Sequence, residues 1–364
     1  MQSNSALNSI SRFLIGLAGL VVIVTGLKAA SGLLAPILLA LFVVLFCSPI
    51  VVWMEQRRVP RWLAQAIVIL GVIAAGLTLI LFLGISVNQL SKALPQYQSL
   101  IVEQQKNVAG LMEKAGIESS DLLALEFLQP GKIIQVVLGF LSGILSALSQ
   151  IGLTLFIFVY MLAGASTFSD KLQRGLRHNP AMLTRLNAFG RSISVYLFIK
   201  TVLGFFTALG QTLLLLALGV DFAVLWGVLS FLLNFIPNIG YVISLIPPVL
   251  LTLLKFGQVK AIIVFAGYTI INNIFDILIA PRYLGKGLDL STLVTFLAVI
   301  FWSWILGPVG AFMALPLTDL IKKLLLESFD DTQLLATLAG AEAFADSDTP
   351  QPISPQPTND PSER

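Results

Sequence analysis

Apolar residues in this chain come in long unbroken blocks, not at the three-and-four spacing that marks a half-buried soluble helix. The blocks fall at about 12–27, 33–53, 62–88, 133–164, 192–219, 222–254, 259–280 and 290–326. A spanning helix needs about 20 mostly apolar residues to cross a hydrocarbon core of about 30 Å. The pattern therefore predicts an all-α, polytopic membrane protein with about eight hydrophobic segments. Two blocks are punctuated. Ile236-Pro237-Asn238-Ile239-Gly240 interrupts the sixth, leaving apolar arms of about 15 residues, roughly 22 Å each at helical rise. Gly307-Pro308-Val309-Gly310 interrupts the eighth, with arms of similar or shorter length. Arms this short span poorly, so both blocks are candidates for re-entrant hairpins.

The polar stretches between blocks give an orientation, because Lys and Arg accumulate in cytoplasmic loops. Glu55, Arg57, Arg58 and Arg61 lie between Trp53 and Trp62, as expected of a cytoplasmic loop with interfacial aromatics. Segment 89–132 balances its lysines with acids and is read as an extracytoplasmic helical insert, with Tyr97, Ile101, Val108, Leu111 and Ala115 at helical spacing. Segment 166–191 carries Lys171, Arg174, Arg177, Arg185 and Arg191 and is read as cytoplasmic. If both broken blocks turn back, Arg282, Lys286, Lys322 and Lys323 are cytoplasmic too, which the charge rule favours, although Lys255 and Lys260 then face outward. Residues 1–345 are read as one transmembrane transporter domain. Residues 346–364, with five prolines among Ser, Asp, Thr and Gln, are read as a disordered cytoplasmic tail. Arg12 and the run Phe13–Leu27 resemble a signal peptide, but further spans follow at once, so the run is read as an uncleaved first span.

Composition narrows the chemistry. Of 364 residues, 57% are hydrophobic and only 11% charged, against about 25% charged in soluble domains. The net charge of +3 reports loop orientation, and no nucleic-acid partner is expected. One cysteine, Cys47, and one histidine, His178, permit neither an intramolecular disulfide nor a Cys/His metal cluster. No cofactor and no metal are expected. With no Walker A sequence and no Ser/His, Asp/Asp or metal-ligand pair at helical spacing, the chain is read as neither an ATP-driven pump nor an enzyme.

Ionisable side chains inside spans cost about 2.5–3.5 kcal/mol or more at the bilayer centre and are functional candidates by default. Asp276, after Asn272 and Asn273 in an otherwise apolar helix, is the sharpest. It could take a proton, bind a cation or hydrogen-bond a polyol, or it could pair with Arg282 near the interface. Lys200, about two and a half turns past Arg191, is a further candidate for solute or ion binding, or it extends its long stem to the inner surface. Asp221 is read as an interfacial helix cap and Asp319 as interfacial. Asn234 and Asn238 flank Pro237 and could bind solute hydroxyls or close exposed backbone. Pro237, Gly240, Gly307, Pro308 and Gly310 would shape the breaks. Paired Gly/Pro-broken segments point to a transporter's substrate site, because unwound backbone is tolerated at membrane depth only where it is buried in protein or lines a polar cavity.

Four runs together carry a family resemblance: Leu233 through Gly240, Ile246-Pro247-Pro248, Pro281 through Ser291, and Phe301 through Gly310 followed by Ala314-Leu315-Pro316-Leu317. They resemble the autoinducer-2 exporter family of bacterial inner-membrane proteins over about 230–325. The resemblance implies export of autoinducer-2, cation/proton antiport in some members, a homo-oligomer and an inner-membrane location. Many relatives carry an acidic residue directly before the proline that here is Pro281. This chain has Ala280, with Asp276 one helical turn earlier on the same face. Three functions are carried forward. The first is a secondary transporter or facilitator exporting a small polar metabolite of the autoinducer-2 kind. The others are a sodium or lithium/proton antiporter using Asp276, and a membrane scaffold. A small polar solute with H+ or Na+, and the lipid bilayer, are the expected partners.

Overall fold

The computed structural model describes residues 3–114, 130–177, 180–237, 239–284 and 290–323, and among these every regular element is helical. In chain order they are α1 (Ser3–Ala29), α2 (Ser31–Gln56), α3 (Arg61–Lys114), α4 (Pro130–Gly175), α5 (Pro180–Leu218), α6 (Ala223–Leu233), α7 (Ile239–Phe256), α8 (Gln258–Asn273), a π-helical stretch (Ile274–Ile279), α9 (Ala280–Leu284), α10 (Thr292–Leu306) and α11 (Pro308–Ile321). Among the described residues five helices are long and apolar enough to cross a membrane, or six if the bent pair Gln150–Ala165 and Thr167–Gly175 is one span. The chain is an all-α polytopic membrane protein. The insert expected after the third block begins as a direct continuation of it: α3 runs 54 residues without interruption, about 80 Å of helix. His178, Asn238, Lys286 and the tail 346–364 lie outside the described residues.

Lipid tails are as apolar as leucine, so helices in a membrane gain little from hiding apolar surface from one another. Close packing and buried hydrogen bonds hold them instead. Three apolar clusters do this work. Ala40, Val44, Cys47 and Val51 of α2 meet Ala64 and Val68 of α3 and Phe158 and Leu162 of α4. Gln65 Nε2 donates across this contact to the Leu162 carbonyl at 3.0 Å. A second cluster joins Leu83, Val87 and Leu90 of α3 to Leu215, Trp226, Leu229, Leu245, Val264 and Tyr268. The third wraps α10 and α11 against α2 and α5, where Ser194 Oγ donates to the Leu45 carbonyl at 2.8 Å.

Both punctuated blocks fold as helical hairpins. In the first, α6 and α7 start and finish at one end of the molecule, because Lys255 at the close of α7 pairs with Asp221 just before α6 at 2.7 Å. Tyr97 of α3 donates to the same carboxylate at 2.7 Å. Asp221 is thus an ion-pair partner and not the expected cap: Phe222, with φ of 58°, holds the N-cap position without a side-chain bond. The arms are unequal, 11 residues in α6 and 18 in α7. This corrects the expectation of two matched short arms, since α7 alone is long enough to cross. In the second hairpin, Gly307 takes φ of 66°, a conformation that costs a side chain about 1 kcal/mol or more, and Pro308 starts α11 at once. Trp302 Nε1 donates to Thr318 Oγ1 at 3.0 Å across the pair. Asp319 is buried and pairs with Lys323 one turn later at 2.9 Å. Each turn is tight enough to require glycine on its return arm. A Cβ on Gly240 would overlap the Leu233 carbonyl oxygen, and one on Gly310 would overlap that of Trp302.

Candidate functional site

The break between α6 and α7 opens a cavity of about 420 Å³ facing α5 and the end of α8. Its lining brings together Lys200, Asn234, Pro237, Asn272, Asn273 and Asp276, six residues singled out from widely separated stretches of sequence. Lys200 lies near the middle of α5, on the face where Gly204 admits the side chain of Asn234. Its Nζ donates to Asp276 Oδ1 at 3.0 Å and to Asn234 Oδ1 at 3.3 Å. The side chains of Lys200 and Asp276 are 11% and 28% exposed, so the ammonium is the more deeply enclosed of the two. Lys200 therefore does not reach for the inner surface, and the partner of Asp276 is Lys200 and not Arg282.

The local backbone explains how Asp276 gets there. α8 loosens after Asn273 into the π-helical stretch that carries Ile274 through Ile279. Such widened turns are poorly bonded and recur where a side chain must be re-aimed. Asn272, Asn273, Asp276 and Ile277 all line the cavity from this region, and so does Ala280. Ala280 and Asp276 thus share one space, as their spacing suggested. Phe206 of α5 stacks on Phe275 at 6.4 Å and Gly210 lies against Ile271, fixing α8 to α5 beside the pair.

Ser230, Tyr241 and Ser244 also line the cavity and were not singled out in the sequence. Their signal was present: Ser230 precedes Asn234 by one turn, and Tyr241 and Ser244 follow Gly240 closely, all in otherwise apolar arms. Gly307, Pro308 and Gly310 do not line it. Their hairpin sits in the apolar cluster with Ile305, Leu306, Ala311 and Met313, and touches the first break through Phe312, whose ring lies 4.6 Å from that of Phe235.

The cavity's charges cancel. One ammonium faces one carboxylate, surrounded by three amides and three hydroxyls. Such a lining can replace the hydration of a small polar solute hydrogen bond by hydrogen bond, and a volume of this order is typical of small-molecule sites. It can also exchange a cation or proton at Asp276, provided Lys200 withdraws.

A polar cavity at a helix break inside a multi-pass bundle defines a membrane protein built as transporters are. The comparison with known proteins agrees. The family model described as "AI-2E family transporter" matches residues 17–329. The AI-2 transport protein TqsA of Escherichia coli strain K12 is 36% identical over 327 residues, covering 90% of this chain and 95% of that relative. A protein of Haemophilus influenzae, named as a transport protein, is 33% identical over 348 residues, covering 93% of this chain and 98% of that relative. The chain belongs to the AI-2E family of transport proteins.

Proposed function

We propose that this chain is a secondary transporter or facilitator that exports a small, neutral, polar metabolite of the autoinducer-2 kind from a bacterial cytoplasm. The observation that carries the reading is the Lys200–Asp276–Asn234 cluster in a cavity of about 420 Å³ at the α6–α7 break. A balanced charge pair ringed by amides and hydroxyls suits an uncharged, hydroxylated solute better than an anion or a bare cation. The name of the Escherichia coli relative points to the same solute class. In this reading both hairpins are re-entrant, both termini are cytoplasmic, and the protein works as a homo-oligomer in the inner membrane. The test is flux. Purified protein in liposomes should move labelled autoinducer-2 or a related hydroxylated solute above empty liposomes. No flux for any of them, with orientation verified, would sink the export reading.

Cation/proton antiport is the second reading, favoured by the direct ion pair at 3.0 Å. A sodium ion or proton arriving at Asp276 would compete with Lys200, so binding one releases the other. Cation-driven proton flux that disappears in Asp276→Asn would select this reading. Solute flux without any dependence on the sodium gradient or pH would select the first.

A further inference from the structure

Away from the Lys200 pair, α5 through α8 contain a second polar feature. Gln211 lies on α5 eleven residues beyond Lys200, about 16 Å of helix toward the Asp221–Lys255 end. It is fully buried. Ser230 donates to its Oε1, while its Nε2 has no hydrogen-bond partner among the described residues. An unmatched amide donor in an apolar interior is costly, and few are kept without a use. The connection to the cavity is direct. Ser230 and Ser244 both line it, their oxygens lie 3.4 Å apart, and Ser244 donates to the Tyr241 carbonyl at 2.8 Å. On α8 the buried Tyr268 hydroxyl also lacks a partner among the described residues. It lies eight residues before Asp276, about 12 Å of helix in the same direction. Both orphaned donors thus lie on helices that pack against each other, on the same side of the Lys200–Asp276 pair.

We infer that Gln211 is a second binding position on the solute's route, reached from the cavity past Ser230 and Ser244, and that its open Nε2 donates to an oxygen of a neutral hydroxylated solute. This rests on the transport reading above and sharpens it. Gln211, Ser230, Ser244 and Tyr268 carry no charge, so a cargo moving past them is offered hydrogen bonds but no counter-ion.

Cysteine accessibility tests this without knowing the solute. In a Cys47→Ala background, Gln211→Cys and Asn234→Cys are each reconstituted and treated with 2-hydroxyethyl methanethiosulfonate, a small neutral polar reagent. Asn234→Cys should react readily. Gln211→Cys should react within about a hundredfold of that rate, the slowing expected of an open state populated near 1%. A reactive Asn234→Cys beside an inert Gln211→Cys overturns the inference and leaves the transport reading standing, whereas two inert variants remove both. A second measurement guards against a purely structural role. Gln211→Leu, which removes the orphaned donor, should melt at or above the wild-type temperature, and a marked fall would show that the amide serves packing instead.

Discussion

The two helix breaks look alike in sequence and differ in what surrounds them. Each places proline and glycine in mid-block, each folds back as a hairpin, and each sets a glycine on the return arm against a carbonyl of the outgoing arm. Yet the first opens a polar cavity, whereas the arms of the second pack into an apolar cluster. The difference lies in the neighbours. Around Pro237 stand Ser230, Asn234, Tyr241 and Ser244, with Lys200 opposite, and freed backbone there can be hydrated or solvated by a ligand. Around Pro308, which is itself exposed, stand Ile305, Leu306, Val309, Ala311 and Met313, whose side chains offer no hydrogen-bonding group. Punctuation makes a hairpin, and polar flanks make a site.

The strongest way to break this contrast is to remove the charges from the first hairpin. Lys200→Met or Asp276→Leu alone strands one enclosed charge and should cost up to about 3 kcal/mol of stability. The double variant removes both charges, so most of that stability should return while flux is abolished. Thermal unfolding of detergent-purified protein, set beside flux in liposomes, separates the two effects. If the double variant still transports, the pair is structural. The converse change belongs to the second hairpin. Met313 is fully buried, and Met313→Ala should cost about 2–5 kcal/mol through the cavity it leaves, with flux per folded molecule unchanged. A loss of flux in correctly folded Met313→Ala would bring the second break into the transport pathway.

Much of this division was legible in the sequence. The membrane class followed from block length, both hairpin turns from Pro and Gly, and most of the cavity's polar lining from the rarity of polar residues inside apolar helices. The partnership of Lys200 with Asp276 was not legible. The two lie 76 positions apart, and only the tertiary meeting of α5 with the end of α8 joins them. The inequality of α6 and α7 was hidden because apolar composition does not record where a helix starts. The π-helical stretch was hidden because its residues, Ile and Leu around one Asp, read as ordinary helix. Nor did two similar breaks announce that only the first would face a charge pair. That depended on Lys200, which approaches from another helix.

Adding a methyl group to each turn gives a finer comparison. Gly240→Ala and Gly310→Ala both press a side chain onto a backbone carbonyl, and each should lower stability by about 1–3 kcal/mol, the usual cost of overpacking. Their functional effects should separate. Gly240 lies between Pro237 and Tyr241, so its displacement changes the cavity wall and should raise the apparent KM for solute. Gly310 should change melting alone. Equal shifts in KM would mean that the hairpins move as one body.

The smallest expected effect concerns how the first hairpin is closed at its far end. Burial pushes the Asp221 carboxyl upward, but hydrogen bonds from Lys255 and Tyr97, with the charge of Lys255, outweigh it and hold the group below its ordinary 3.8. A carboxyl depressed on folding contributes stability above its unfolded value and loses that contribution as pH falls through the folded one. The ion pair should therefore be fully effective at neutral pH and fade only below about pH 4. Its side chains are more than a third exposed, so solvent screening keeps its worth under about 1 kcal/mol. Asp221→Asn should melt slightly lower than wild type at pH 7, and the gap should close on acidification toward pH 3. A gap that stays constant with pH would assign the effect to the Tyr97 hydrogen bond, and the hairpin would then be closed by α3 and not by its own two ends.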